Sequence, residues 1–383
     1  MRCVLPLAFL LLSSIVNAQD PPAPVQLARR AGFLSPDYYQ QQMPLWSDYL
    51  ADHPQDSHAW RSRYLSAEYS RSADAEQLDR ILQEMSQAVP NCWQLPYLKA
   101  RRVGLGHLER HLALLEEASR RCRQDCADID ESLGLIHELR SDTTAAAAAW
   151  KRFYASHTIA TGLLDYNYNL LQTVEKDGVL ITNGDNDTMP AWILQRVHGV
   201  RADVTIINLS VAHTQRPWLE SQLSRLGMDV TVDSLSKDRV DLVQDLADRI
   251  GATGRVVFLA LTVPASDRRR IEDHLKLCGL AARYDPGDSV DAGPILHRNF
   301  SKRFRLDGLR HDWFGERHPS LRPIVRRLNT NYGYGLLALA ATHPQEEQWA
   351  DLSQHVASLS NDAHFSEMVR RRLEHGSDLE EMD

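Results

Sequence analysis

Asp177-Gly178-Val179-Leu180-Ile181-Thr182-Asn183-Gly184-Asp185-Asn186-Asp187-Thr188-Met189-Pro190 is where the chain changes its hydrophobic period. Upstream, apolar residues recur every three or four positions. Here a short apolar run, 178–182, is closed by a polar loop, which is the pattern of a buried strand. Residues 204–207 and 256–261 repeat it, and amphipathic segments fall between and after them at 191–198, 218–226, 239–250 and 266–277. Strands alternating with helices of that length predict βαβ units and a mostly parallel sheet with helices on its faces. Weaker strands are expected at 229–232 and 281–284. The α/β domain is expected to span 161–325.

Residues 35–160 read as helices in pairs. Leu78, Ile81, Leu82 and Met85 follow the i, i+3, i+4, i+7 rule, and Leu108, Leu112 and Leu115 form a second stripe. Ser35 before Pro36 marks a helix start, as does Asp128 before Ile129-Asp130-Glu131, whereas His53-Pro54 and Val89-Pro90 mark breaks. Tyr49-Leu50-Ala51-Asp52-His53-Pro54, followed by Ala59-Trp60, looks like a junction between tetratricopeptide units, although the full repeat signature is absent. The array is therefore expected to be tetratricopeptide-like. Consecutive alanines at 145–149 let neighbouring helices approach closely. Helical spacing returns over 326–375, and the acidic tail 376–383 is expected to be disordered. The fold class is α/β joined to all-α.

The chain has 383 residues, 43% hydrophobic and 25% charged, with a formal net charge of −8. Those values suit two globular domains, and the acidic balance argues against a nucleic-acid partner, which calls for a basic face. The arginine triplets at 268–270 and 370–372 read as solvated helix faces. Arg2, the apolar run 4–16 and Val16-Asn17-Ala18 predict a cleaved signal peptide, 1–18, followed by a linker, 19–34. No later run approaches a membrane-spanning length, so the mature chain is expected to be periplasmic or secreted without a transmembrane segment. Export permits disulfides. With Cys92 opening one helix and Cys122 closing its partner, Cys92–Cys122 or Cys92–Cys126 is reachable, and Cys122–Cys126 is the local competitor.

The sharpest polar motif is the loop Asn183, Gly184, Asp185, Asn186, Asp187 and Thr188. In open parallel sheets, ligands bind beyond the carboxyl ends of strands. Asp185 and Asp187 offer oxygens to a divalent cation or to sugar hydroxyls. The plainer reading makes Asp187 or Thr188 an N-cap, with Pro190 in the first turn and an Asx turn at Asn186. Arg201, Asn208 and Thr214 are further ligand candidates; Arg201 can instead pair with Asp203, and Asn208 can satisfy backbone groups. His107 and His111, with Glu109 between them, only superficially resemble a metalloprotease helix, because the glutamate must adjoin the first histidine. No nucleophile elbow, phosphate-cradling lysine loop or dinucleotide fingerprint occurs. The basic, aromatic stretch 298–305 reads as a connector packing Phe300 and Phe304, or as a face for an anionic glycan or phosphate.

The residues Asp165-Tyr166-Asn167-Tyr168-Asn169-Leu170-Leu171 through Asn183-Gly184-Asp185-Asn186-Asp187-Thr188 resemble the soluble C-terminal region of a large bacterial membrane-protein family of unassigned function. The likeness continues through Gly199-Val200-Arg201-Ala202-Asp203-Val204, Asn208-Leu209-Ser210, Ala260-Leu261-Thr262-Val263, Gly279-Leu280 and Asn331-Tyr332, over about 160–360. That family has a glycosyltransferase-C-like membrane portion, and an animal relative acts as a protein O-mannosyltransferase. Ala191 replaces the family's aromatic after Pro190, and His213-Thr214-Gln215-Arg216-Pro217-Trp218 loses an acidic residue. The membrane portion has no counterpart here, so the resemblance implies an accessory module. The first expectation is an exported binding and scaffolding protein, with a polypeptide partner on its helical hairpins and a polar ligand such as a glycan at the Asp185/Asp187 loop. A divalent-metal-dependent sugar transferase or hydrolase is the alternative, and a purely structural assembly factor the third reading.

Overall fold

The computed structural model describes residues 20–28, 34–312 and 321–375. The expected signal peptide, 1–18, and the acidic tail, 376–383, lie outside the described residues. Part of the expected linker is core: Val25, Leu27 and Ala28 are all buried.

The chain forms two compact units, the first holding Ser35–Pro90 and the second everything after Pro90 together with the segment from Gln26 to Leu34, so the sequence boundary at 160 falls inside the second. In the first unit, helices α1 (Pro36–Asp52), α2 (Ser57–Ser70) and α3 (Ala75–Ala88) each start on an oxygen cap. Ser35 accepts from the Tyr38 amide, Asp56 from those of His58 and Ala59, and Asp74 from that of Gln77. The core is aromatic, with Tyr39, Trp46, Trp60 and Tyr64 buried and the Tyr39 and Tyr69 rings 5.2 Å apart.

The second unit opens with two helical hairpins, α4 (Gln94–Val103) with α5 (Leu108–Arg121), and α6 (Ala127–Leu139) with α7 (Thr143–Ala155). Paired helices are common to every helical solenoid, and they do not by themselves make these tetratricopeptide repeats. Cys122 bonds to Cys126 across the α5–α6 turn, while Cys92 is free. Of the alternatives the sequence left open, the local one is made and the two bridges to Cys92 are not. Arg121 instead reaches the Cys92 carbonyl at 3.3 Å, so the end of α5 does lie beside Cys92. Between α6 and α7, a Cβ at Gly134 would sit 2.6 Å from three ring atoms of Trp150. The absent side chain lets the indole lie flat on α6, and Ala146 and Ala149 extend the close approach.

Helix α8 (Thr161–Thr173) leads into β1 (Val179–Thr182), α9 (Met189–His198) and β2 (Thr205–Asn208). The chain then runs through α10 (Leu209–Thr214), α11 (Arg216–Arg225) and α12 (Arg239–Gly251) to β3 (Val257–Ala260). The strands order as β2-β1-β3-β5-β4. The first three are parallel, with Leu180 facing Ile206 on one side and Phe258 on the other. All four residues of β1 are buried, which is why the run lacks alternation. The other two strands, β4 (Leu275–Leu277) and β5 (Ala281–Tyr284), run antiparallel, so the sheet is mixed.

Two sequence expectations fail here. Residues 266–277 form only a helical turn, α13 (Ala265–Arg268), before a 3₁₀ turn and β4. Arg268-Arg269-Arg270 supplies charges every residue rather than an apolar stripe, and Ile271 alone is buried. Residues 229–232 make no strand; Val232 begins a 3₁₀ turn. After β5 come α14 (Gly293–Arg298), α15 (Asp307–His311), α16 (Arg322–Thr342), α17 (Gln348–Leu359) and α18 (Ala363–His375). Asn169 of α8 ties this region to the sheet domain: it donates to the Arg305 carbonyl and the Tyr332 hydroxyl and accepts from the Arg305 amide.

Candidate functional site

The order β2-β1-β3 places a topological switch point between β1 and β3. Beyond β1 the chain leaves toward β2; beyond β3 it leaves toward the opposite edge. A crevice opens where neighbouring loops diverge in this way. The loops concerned are 183–188 and 261–264, and their side chains meet.

Asp187 is the centre of the meeting. It is 2% exposed. One oxygen accepts from the Asn183 amide at 2.7 Å and from the Thr262 hydroxyl, the other from the Gly184 amide at 2.9 Å. Successive backbone N–H groups converging on one carboxylate form an anion nest, here filled by the chain's own side chain. Burial pushes the Asp187 carboxyl above the ordinary range, and the bonds from Thr262, Asn183 and Gly184 oppose that rise.

A hydroxyl and amide cluster braces the other side. Thr188 contacts Thr182 at 2.6 Å and accepts from the Asn208 amide at 2.9 Å, and Asn208 also donates to the Gly184 carbonyl. The Asn208 side-chain oxygen caps α10 through the Val211 amide. Thr188 sits at the N-cap position of α9 without capping it; the Asp185 carbonyl receives the Met189 amide instead. Helix α9 ends at Gly199 in the left-handed conformation, φ 65°, which glycine adopts without strain. Asn167 of α8 donates to the Asn186 carbonyl and holds the loop from above.

Asp185 is exposed and Asn186 half-exposed. They border a small cleft with Phe153, Ile159, Met189 and Pro190. The two aspartates thus have opposite surroundings, one in solvent and one sealed. Both oxygens of Asp187 are engaged by protein donors, which does not suit a cation ligand. Among the described residues no cluster of three His, Cys, Asp or Glu ligands includes either aspartate.

Two sequence candidates are not brought to the loop. Arg201, at φ 46°, lies before β2, where it donates to the Leu171, Val174 and Glu175 carbonyls and pairs with Asp203 at 2.7 Å. It closes the C-terminal end of α8, at the far end of the strands. Thr214 is exposed and bonds back to the Ser210 carbonyl. The histidine pair is also divided: His107 is exposed, and His111 is buried with its Nδ1 donating to the Gly104 carbonyl.

Sequence reasoning missed three contributors. Thr262 follows β3, the neighbour of β1. Ser210 follows β2 and donates to the Asn183 carbonyl at 2.7 Å. Arg239, opening α12, donates to the Asn183 side chain at 2.6 Å and to Ser210 at 3.2 Å, and pairs with Asp267. Each follows a strand or opens the next helix, so one available signal was position relative to strand ends, and Ser210 and Thr262 also lie in stretches that carry the family likeness.

Glu138 of α6 links the helical hairpin to the helix that leaves the loop. It is buried, receives two bonds from Arg196 of α9 at 2.8 and 2.9 Å, and accepts from Trp150 at 3.3 Å.

No curated protein and no solved structure matches this chain. Residues 163–232, which carry α8, β1, the polar loop, α9, β2, α10 and α11, match the family model described as TMEM260-associated domain 2, a match consistent with a TMEM260-related family.

Proposed function

We propose that this protein is an exported binding module, accessory to protein or envelope glycosylation, whose ligand site is the outer rim of the 183–188 loop. The carrying observation is the loop's construction. Its inner residues are locked by Asp187, Thr188, Asn208 and Thr262, while Asp185 and Asn186 stand on the outer side of the loop, at the edge of a small cleft next to α7 and α9. A rigid, exposed rim of a carboxylate and an amide suits a sugar, which presents hydroxyls at its edge. The match to TMEM260-associated domain 2 covers this loop, and the resemblance to a family with a glycosyltransferase-C-like membrane portion supplies the glycan direction. The Cys122–Cys126 disulfide supports an oxidising compartment.

The metal-dependent transferase reading is weakened because Asp187, one of its two carboxylates, is sealed among protein donors. The polypeptide-scaffold reading calls for an apolar groove, yet among the described residues the exposed large hydrophobics are the scattered Leu34, Leu45 and Tyr334. The test is calorimetric titration of the full chain with an O-mannosylated peptide and with the same peptide unmodified. Selective binding of the glycopeptide, weakened about tenfold or more by Asp185→Ala at an unchanged unfolding midpoint, is the expected result. Equal binding of both peptides, or full affinity in Asp185→Ala, would sink the proposal.

A further inference from the structure

Away from the loop, three potential ligands converge where α14, the end of α16 and the start of α17 meet. They are His297, His343 and Glu346, all half-buried, and their ligand atoms lie within 4.8 Å of one another. We propose that this triad is a zinc site that clamps α14 to the α16–α17 turn, with a water completing four-coordination.

Ligand spacing fits that chemistry. His343 and Glu346 sit in a single turn, which is pinned by the Glu346 amide bonding to the His343 carbonyl and the Trp349 amide to the Glu346 carbonyl. The third ligand comes from a distant helix. A short spacer plus a long one is usual for zinc, as is a His₂Glu donor set. Tetrahedral bonds of about 2.0–2.1 Å place ligand atoms roughly 3.3 Å apart, so closure from the present spacing is small. Nitrogen donors disfavour Mg²⁺ and Ca²⁺, which take oxygen.

The surrounding hydrogen bonds prepare each ligand atom. Thr342 uses its hydroxyl hydrogen on the Ala338 carbonyl, so at the 2.9 Å contact its oxygen accepts from His343 Nδ1–H. That fixes the tautomer in which His343 Nε2 carries the lone pair. Glu346 Oε2 accepts from the Trp349 indole at 3.1 Å and from Gln348 at 3.3 Å, leaving Oε1 for the cation. Oε1 now accepts from His297 Nε2 at 2.8 Å, so ligation of zinc through that nitrogen would place the ring proton on Nδ1 and exchange this hydrogen bond for two bonds to the ion. The His297 and His343 rings are stacked 4.4 Å apart. Binding requires the half-exposed His343 ring to tilt so that its lone pair meets the ion. Orienting groups of this kind, when removed, cost about 10–100-fold in metal affinity.

The experiment titrates the full, chelator-stripped chain with Zn²⁺ by calorimetry and thermal unfolding, using Mg²⁺ as the hard-cation control. Co²⁺ absorption provides the geometric readout. Stoichiometric Zn²⁺ binding, a raised midpoint with Zn²⁺ alone and the strong visible bands of four-coordinate Co²⁺ are expected. His343→Gln and Glu346→Gln should each weaken Zn²⁺ binding at least tenfold, Thr342→Val about tenfold through the orienting bond, and His107→Gln not at all. Neither His343→Gln nor Glu346→Gln removes a core side chain, and circular dichroism verifies their folding. Absence of Zn²⁺ binding, or affinity unchanged in both ligand variants, overturns the site.

Discussion

Replacing Asp187 by asparagine keeps the shape of the side chain and removes one acceptor from a place where every neighbour donates. The Asn183 amide, the Gly184 amide and the Thr262 hydroxyl all aim at the carboxylate. Whichever oxygen becomes NH₂, one backbone N–H faces another donor, because only the hydroxyl can turn to accept. Leaving a buried amide unsatisfied costs about 1–3 kcal/mol. An opposing contribution reduces this. Burial holds the Asp187 carboxyl above its ordinary range, so ionisation weakens the native state as pH rises past the unfolded value near 4. The asparagine variant escapes that weakening, and its net loss at neutral pH should lie near about 1–2 kcal/mol, at the low end of the hydrogen-bond range. Urea unfolding measures the total, and amide hydrogen exchange localises it. Exchange at Asn183 and Gly184 should accelerate by about 5–30-fold, the factor equivalent to 1–2 kcal/mol. Thr262→Val should cost about 1 kcal/mol and combine non-additively with Asp187→Asn, since both act on one carboxylate. A variant as stable as wild type, with exchange at 183 and 184 unchanged, would refute the role of Asp187 as the anion that shapes the loop.

Glu138→Ala should destabilise the second unit by about 3–5 kcal/mol in urea, because Arg196 loses its buried carboxylate partner, and adding Arg196→Met should recover part of the loss. Asp203 is held down to about 2 from 3.8, chiefly by its hydrogen bonds from Arg201. The native state therefore binds fewer protons than the unfolded chain in this window, so the pair's stabilisation is complete above about pH 5 and disappears as pH falls through 2. After solvent screening it is worth about 1 kcal/mol, and Asp203→Asn should flatten the acid limb of the stability curve by that amount.

The parallel strands were legible because a strand buried on both faces must be written as a continuous apolar run, and 178–182, 204–207 and 256–261 are such runs. The β4–β5 hairpin was legible only in half. Ala281 and Ala282 are buried in β5, but all three residues of β4 are partly exposed at the sheet edge. Leu275-Lys276-Leu277 carries too little apolar signal to outweigh the charged segment before it. The cysteine pairing was left open in the sequence for a different reason. Cys92 and the end of α5 do lie at one end of the hairpin, as the spacing suggested, but Cys126 is four residues from Cys122, and local closure won. Proximity set by the fold does not decide between two partners when one of them is already adjacent along the chain.

The loop shows the same distinction between place and role. Its position beyond β1 followed from the period change alone, and the structure finds it at the switch point. The division of labour inside it did not follow, since Asp185 and Asp187 are the same residue type two positions apart. What separates them is Thr262, 75 residues away, whose hydroxyl reaches Asp187 from the end of β3. A strand neighbour is a property of sheet order, and β1 acquires β3 beside it only when the chain has passed through β2 and returned. The motif therefore reads as a symmetric pair of carboxylates in sequence and as one internal anion plus one exposed rim group in space. Arg201 underwent the converse change: next in the family likeness to the loop, it acts at the opposite end of β1, where it donates to three carbonyls around the end of α8. The proposed recognition at the rim then leans on the sealed anion, because Asp187 fixes the backbone on both sides of Asn183, from which Asp185 and Asn186 follow.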